Sequence, residues 1–233
     1  MHRVFVAHDQ IPTITGSDAH YIKNVLRLKV GDHLELLDGT GLIYSVKITQ
    51  LKMEQISCEI IKTASPAVEQ KFQITIAQAI PKAKKMDLII QKCTELGVAR
   101  IIPMLTERCI AKGEKVERWQ KIAKEATKQC GRTTIPEITP LRSFADVLKL
   151  KGPCDLALLP WELEKDLQLK QALSCKKPAN IIILIGPEGG FSQQEVELAK
   201  RAGFTTISLG PRILRTETAG LAMLSMINYE YEQ

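Results

Sequence analysis

From residue 72 onward the chain alternates strand-like apolar runs with helical stretches, and this alternation restricts the fold more than any other feature. Runs at 72–79, 100–104, 155–159, 181–185 and 205–209 are separated by helical patterns at 84–96, 115–130, 144–150, 193–202 and 216–229. Strand–helix alternation requires crossover connections, so the prediction is α/β: a mainly parallel sheet covered by helices on both faces. Ligands of such sheets bind outside the carboxyl ends of the strands. That singles out the loops after Leu159, Ile185 and Leu209.

The first 62 residues follow a different grammar, of short strands and turns. Gly31-Asp32 and Asp38-Gly39-Thr40-Gly41 are turn signals, and residues 34–37 and 42–48 alternate about them as a hairpin does. One helix is predicted over 18–28, with Tyr21, Ile22, Val25 and Leu26 as its buried stripe. Residues 63–70 are small, polar and broken by Pro66. The expected organisation is a β-rich module over 1–66, a linker at 67–71 and the α/β domain over 72–233.

At 233 residues, 45% hydrophobic and 25% charged, the composition is that of a globular protein and excludes a disordered or low-complexity chain. The longest apolar run, 181–185, is far from the ~20 residues that span a bilayer. Met1-His2-Arg3-Val4 opens no signal sequence, so a cytoplasmic location without membrane attachment is predicted. Six cysteines (58, 93, 109, 130, 154 and 175) show no C-x-x-C spacing and read as reduced, mostly buried thiols without a structural zinc. All four histidines lie within the first 33 residues. A Ser–His or Cys–His dyad therefore cannot form within the α/β part alone, and His20 reads as a packing or surface residue.

The net charge of +6 has a definite location. Residues 82–132 hold thirteen Lys/Arg against six Asp/Glu, while residues 1–70 are net negative by one. Within that basic stretch, 115–130 is an amphipathic helix stopped by Gly131. Val116, Trp119, Ile122, Ala123, Ala126 and Cys130 share one face; Lys115, Arg118, Lys121, Lys124 and Lys128 lie opposite. Such a face is either simply solvated or binds phosphate, and the second basic cluster at Lys82–Lys85 favours phosphate.

Two loops carry the chemistry. Ile185-Gly186-Pro187-Glu188-Gly189-Gly190-Phe191-Ser192 follows a strand and opens a helix, with Ser192 and Glu195 spaced as a capping box. It is either a tight turn or a place where backbone N–H groups approach a ligand. It lacks the spacing of a dinucleotide fingerprint and the lysine of a P-loop. Leu209-Gly210-Pro211-Arg212-Ile213-Leu214-Arg215-Thr216-Glu217-Thr218-Ala219 repeats the strand–turn–helix pattern and adds two arginines and a glutamate, as a structural ion pair or as part of a shared ligand cleft. Leu159-Pro160-Trp161-Glu162 supplies a third proline turn.

These two loops resemble the signatures of the RsmE family, the uridine N3-methyltransferases of small-subunit (16S) ribosomal RNA, in the SPOUT class. Further agreement lies in Lys85-Met86-Asp87, Gln91-Lys92, Thr94-Glu95-Leu96-Gly97, Thr106-Glu107-Arg108-Cys109, Trp119-Gln120-Lys121-Ile122 and Gln129-Cys130-Gly131-Arg132. Val25-Leu26-Arg27-Leu28, Gly31-Asp32 and Asp38-Gly39 extend it into the N-terminal module, so the resemblance spans essentially the whole chain.

The resemblance implies an N-terminal PUA-like β-barrel and a parallel-sheet SPOUT domain tied in a deep trefoil knot. It implies S-adenosyl-L-methionine as cofactor, held by Leu159, Pro160, Trp161, Ile185, Gly186, Pro187, Gly189, Gly190, Ser208, Leu209, Gly210, Ile213, Leu214 and Thr216. The product would be 3-methyluridine near the decoding centre, made without a metal. Such a reaction needs a cation for the developing uracil anion and a group that takes or steers the N3 proton. Arg215 is the first candidate for the former, Glu217 and Glu188 for the latter. RNA contacts are expected from Arg27, Lys82, Lys85, Lys92, Arg108, Lys121, Lys124, Lys128 and Arg132, with rRNA in an assembled small subunit as partner. The alternatives are a SPOUT enzyme acting on a ribose 2′-hydroxyl or another RNA, and a non-catalytic assembly protein. Residues 219–227 are apolar nearly all round, which predicts a homodimer approached closely at Ala219, Gly220 and Ala222.

Overall fold

The computed structural model describes residues 2–65, 72–83, 85–110, 113–152, 156–174 and 178–231. The expected linker at 67–71, Lys84, Cys154 and Cys175 lie outside the described residues. The chain forms two compact units, Met1–Glu69 with Thr127–Ile135, and Gln70–Ala126 with Pro136–Gln233.

The first unit contains β1 (His2–Phe5), β2 (Thr13–Thr15), α1 (Gly16–His20), β3 (His33–Leu37), β4 (Ile43–Leu51) and β5 (Gln55–Ala64). They form one five-stranded sheet in the order β1-β3-β4-β5-β2, parallel between β1 and β3 and antiparallel elsewhere. The predicted hairpin is β3–β4, closed at the Leu37–Ile43 pair. Its alternation places Leu34, Leu36, Val46 and Ile48 in a core shared with Ile14, Ile22 and Ile56.

Two features depart from the sequence reading. Of the expected stripe, Ile22 is buried and Leu26 partly so, while Tyr21 and Val25 are 43% and 60% exposed. The cause is a π-helical turn at Tyr21–Val25, where Leu26 N–H donates to Tyr21 O at 3.0 Å. The wider turn carries both side chains off the face that a 3.6-residue period assigns to them. Second, residues 127–135 join this unit. Ile135 packs on Phe5, Leu37 and Ile43, and donates its N–H to Gly39 O at 3.3 Å. Gly39 sits at φ +84, and a Cβ there would lie 3.0 Å from Ile135 Cδ1, so the Asp38-Gly39 turn is shaped to receive that residue.

The second unit contains β6 (Gln73–Ala79), α2 (Lys85–Glu95), β7 (Arg100–Leu105), α3 (Val116–Cys130, whose last turn belongs to the first unit), β8 (Glu137–Ile138), β9 (Arg142–Ser143) and α4 (Phe144–Leu148). It continues with β10 (Leu156–Pro160), α5 (Leu169–Leu173), β11 (Asn180–Ile185), α6 (Gln193–Arg201), β12 (Thr205–Ile207) and α7 (Thr216–Tyr231). The sheet runs β12-β10-β11-β6-β7-β8, with β9 also on β7, and every pairing is parallel. The predicted α/β domain is observed; α5, β8 and β9 are too short to leave a periodic signal.

β11 is buried on both faces, as its unbroken apolar sequence requires. Ile182 and Leu184 join Ala77, Met104, Leu159, Phe191, Val196 and Phe204 on one side. On the other, α7 crosses β6 and β11, and Gly220 lies against Ile76 and Ile185. Gly220 therefore serves the chain's own sheet, not the approach of a second copy. Met226 and Tyr229 of the same helix remain exposed. Among the described residues no helix is long and apolar enough to cross a membrane.

Candidate active site

The order β12-β10-β11 brings the carboxyl ends of three neighbouring strands together, and their loops enclose a cleft of about 320 Å³. Thirteen of the fourteen residues expected around a cofactor line it; Leu159, the exception, is fully buried in the core beneath. Glu162, Phe191, Pro211, Arg212 and Ala219 also line it. The sequence signal for them was their place within the same three loops.

The loops are held by bonds that cross between elements. Gly190 turns the chain at φ +67, donating its N–H to Pro187 O at 3.0 Å; a Cβ there would meet Glu162 Oε1 at 2.7 Å. The predicted capping box is present: Ser192 N–H donates to Glu195 Oε2 at 2.9 Å and Glu195 N–H to Ser192 Oγ at 3.3 Å. Glu195 is buried and its other oxygen accepts Glu107 N–H at 2.8 Å, while Arg108 Nη1 donates to Gly189 O at 2.8 Å. Trp161 N–H donates to Ile207 O at 3.0 Å. Thr216 at the start of α7 donates to Gly186 O at 2.6 Å and accepts from the buried Gln78 Nε2 at 3.0 Å.

Beside this cleft lies an ion cluster. Lys85 Nζ is 3.1 Å from Glu188 Oε1 and 3.1 Å from Glu217 Oε2. Burial pushes the Glu217 carboxyl up, but its own backbone N–H, Lys85 and the field of Arg215 outweigh that and hold it below the usual carboxylate range. At Glu188 burial is likewise outweighed, by its own N–H, the Lys82 N–H and Lys85. The two carboxylates hold Lys85 firmly protonated in return. Glu188 lines the cleft; Arg215 and Glu217 do not, and Arg215 is exposed.

The basic residues expected to meet RNA are in varied settings. Lys121 and Lys128 are exposed on α3 and Lys124 half-buried, with Trp119, Ala123 and Ala126 buried on the other face. Lys82 is exposed, and Arg27 is exposed with a left-handed backbone, φ 55. Lys92 is tied to Glu95 at 2.9 Å, and Arg118 to Asp87 at 2.6 Å. Arg132 is buried, 8% exposed, and so does not present its guanidinium on the surface.

A doubly covered parallel sheet with a glycine-lined cleft at its carboxyl edge is the layout of an α/β enzyme that binds a nucleotide-like group. Comparison with known proteins narrows this. The model of an RNA methyltransferase domain matches residues 68–228, and that of an RNA methyltransferase PUA domain matches 14–61. Ribosomal RNA small subunit methyltransferase E of Synechocystis is 37% identical over 235 residues, covering 97% of this chain and 77% of its own. That of Bacillus subtilis is 35% identical over 237 residues, covering 96% and 93%. The crystal structure of the Neisseria gonorrhoeae protein of that name, bound to S-adenosyl methionine, superposes with a TM-score of 0.87 at 31% identity, covering 99% of this chain and 98% of the other. The chain belongs to the RsmE family of ribosomal RNA small subunit methyltransferases.

Proposed function

We propose that this protein methylates the N3 position of a uridine in small-subunit (16S) ribosomal RNA, with S-adenosylmethionine as methyl donor. The observation that carries the proposal is the cleft between the loops after β10, β11 and β12. Its volume suits a small cofactor. Trp161, Leu209, Ile213 and Leu214 give it apolar walls for a purine, and its glycines leave backbone groups accessible for the polar edges. The residues present therefore fit the cofactor. When bound, S-adenosylmethionine supplies an electrophilic sulfonium methyl and leaves as the neutral thioether.

The protein's part is positioning and electrostatics. Arg215 stabilises the negative charge that develops on the uracil edge as N3 loses its proton. Glu188 and Glu217, ionised at neutral pH, accept that proton or steer Arg215. In the balanced step the N3–H bond breaks, a carboxyl O–H forms, and the methyl passes from sulfur to N3. The target base must leave its stack to reach the site. Residues 1–66, joined by 127–135, act as a PUA-like barrel that holds RNA, and the rest of 72–233 as the methyltransferase domain, knotted at the three cleft loops. Lys82, Lys121, Lys124 and Lys128 supply phosphate contacts. The enzyme works in the cytoplasm as a homodimer through α7, a reading supported by exposed Met226 and Tyr229, on small subunits already assembled.

The test is transfer of a labelled methyl group to purified ribosomal subunits. Label in the small-subunit RNA and not in the large is the expected result. Tight RNA binding without S-adenosylmethionine binding would mark a non-catalytic assembly protein instead.

A further inference from the structure

Lys85 stands in a basic run, Lys82-Ala83-Lys84-Lys85, that reads as a phosphate-binding patch, yet its ammonium is turned onto two carboxylates. They come from distant parts of the chain: Glu188 from the loop after β11 and Glu217 from the first turn of α7. Lys85 itself is the first residue of α2. Glu188 Oε1 also accepts the Lys82 N–H at 3.1 Å, which fixes the carboxylate from a second direction. Two residues before Glu217, Arg215 is exposed and, among the described residues, makes no side-chain hydrogen bond or ion pair.

We propose that Lys85 is a positioning residue for methyl transfer: it holds Glu188 and Glu217 so that Arg215 stays free for the substrate base. This rests on the methyltransferase reading above. Glu217 lies within the field of Arg215. Without the ammonium between them, two like charges face each other, and Arg215 is the cation whose field still reaches Glu217. Glu217 then turns to Arg215, and the guanidinium needed at the uracil edge is occupied within the protein. The lysine thus separates the anionic and cationic parts of the site, and its service to RNA affinity is small.

Lys85→Met and Lys85→Arg in the full-length protein test this, with S-adenosylmethionine titration, RNA binding across a salt series, and kcat and KM for RNA measured as functions of pH. Lys85→Met should lower kcat by about tenfold or more, the range for one general acid–base or positioning contact. KM for RNA, the salt slope of binding and S-adenosylmethionine affinity should stay at wild-type values. The acidic limb of kcat should move to higher pH, because Glu188, facing Lys85 and the Lys82 N–H, and Glu217, facing Lys85 and Arg215, lose the cation that keeps both ionised. Lys85→Arg should recover most of the rate. An unchanged kcat with raised KM and a salt slope reduced by about one would make Lys85 a phosphate contact and overturn the proposal. Equal loss of melting temperature and of both binding functions in the two variants would make it structural and overturn the proposal as well. A wild-type protein that neither binds S-adenosylmethionine nor labels RNA overturns the methyltransferase reading and this inference together, whereas failure of the variants alone overturns only the inference.

Discussion

Thr216→Val removes one hydroxyl while conserving the shape of the side chain, at the point where α7 meets the glycine-rich loop. That hydroxyl donates to Gly186 O at 2.6 Å and accepts from Gln78 Nε2 at 3.0 Å. Gln78 is fully buried, and its Oε1 has no hydrogen-bond partner among the described residues, so the site has little slack. Valine leaves the Gly186 carbonyl and one Gln78 N–H without this partner, although Gln78 Nε2 keeps its bond to Ala79 O. An unsatisfied buried group costs about 1–3 kcal/mol, so the loss should be about 2–4 kcal/mol. At ~2–4 °C per kcal/mol for a chain of this size, calorimetry should show the α/β unit melting about 4–16 °C lower. Because Gly186 lines the cleft, S-adenosylmethionine titration should also show affinity down about tenfold, equivalent to ~1.4 kcal/mol. Thr216→Ser keeps the hydroxyl and should stay close to wild type in both. If the valine variant matches the wild type in melting and in cofactor affinity, the hydroxyl does not hold the loop and the reasoning is wrong.

Neutralising Lys121, Lys124 and Lys128 together should make the salt dependence of RNA binding shallower by about 2–3 in log–log slope, leaving cofactor affinity intact; an unaltered slope would remove α3 from the RNA surface. Arg215→Ala should abolish methylation while cofactor binding and melting temperature persist, and a joint loss of all three would assign the residue to stability. Burial raises the Asp38 carboxyl, but the Thr40 hydroxyl and N–H, His8 and Tyr44 outweigh it and keep the value below the usual 3.8. Its stabilisation is therefore full above the unfolded value and lost as pH falls through the lowered folded one. The stability gap between wild type and Asp38→Asn should accordingly shrink in that acidic window, and a gap constant with pH would contradict it. Sedimentation at micromolar concentration should give about twice 26.0 kDa; an active monomer would refute the dimer.

The parts of the fold that were legible in the sequence are those with local periodicity. β6, β7, β10, β11 and β12 are short apolar runs, and the Gly-Pro turns that follow two of them marked the cleft because ligand loops leave the carboxyl ends of parallel strands. What depended on distant contacts was not legible. Nothing local to residues 127–135 shows that Ile135 packs beside Gly39 in the first unit. The π-turn exposes Tyr21 and Val25, which a count based on α-helical spacing places in the buried stripe. Lys85 carries the local signature of a phosphate-binding patch, and its partner Glu188 stands 103 residues away. Arg132 shows the same limit: composition locates a positive charge along the chain, while only packing decides whether it faces solvent.

The central claim is the chemistry at N3 of uridine, and the nucleoside content of modified RNA tests it most directly. Small-subunit ribosomal RNA lacking the modification is incubated with the protein and S-adenosylmethionine carrying a deuterated methyl group, digested to nucleosides, and resolved by chromatography with mass detection. The deuterated methyl should appear in 3-methyluridine and be absent when Arg215→Ala replaces the wild type. Label in a 2′-O-methylated nucleoside, or in none, would contradict it.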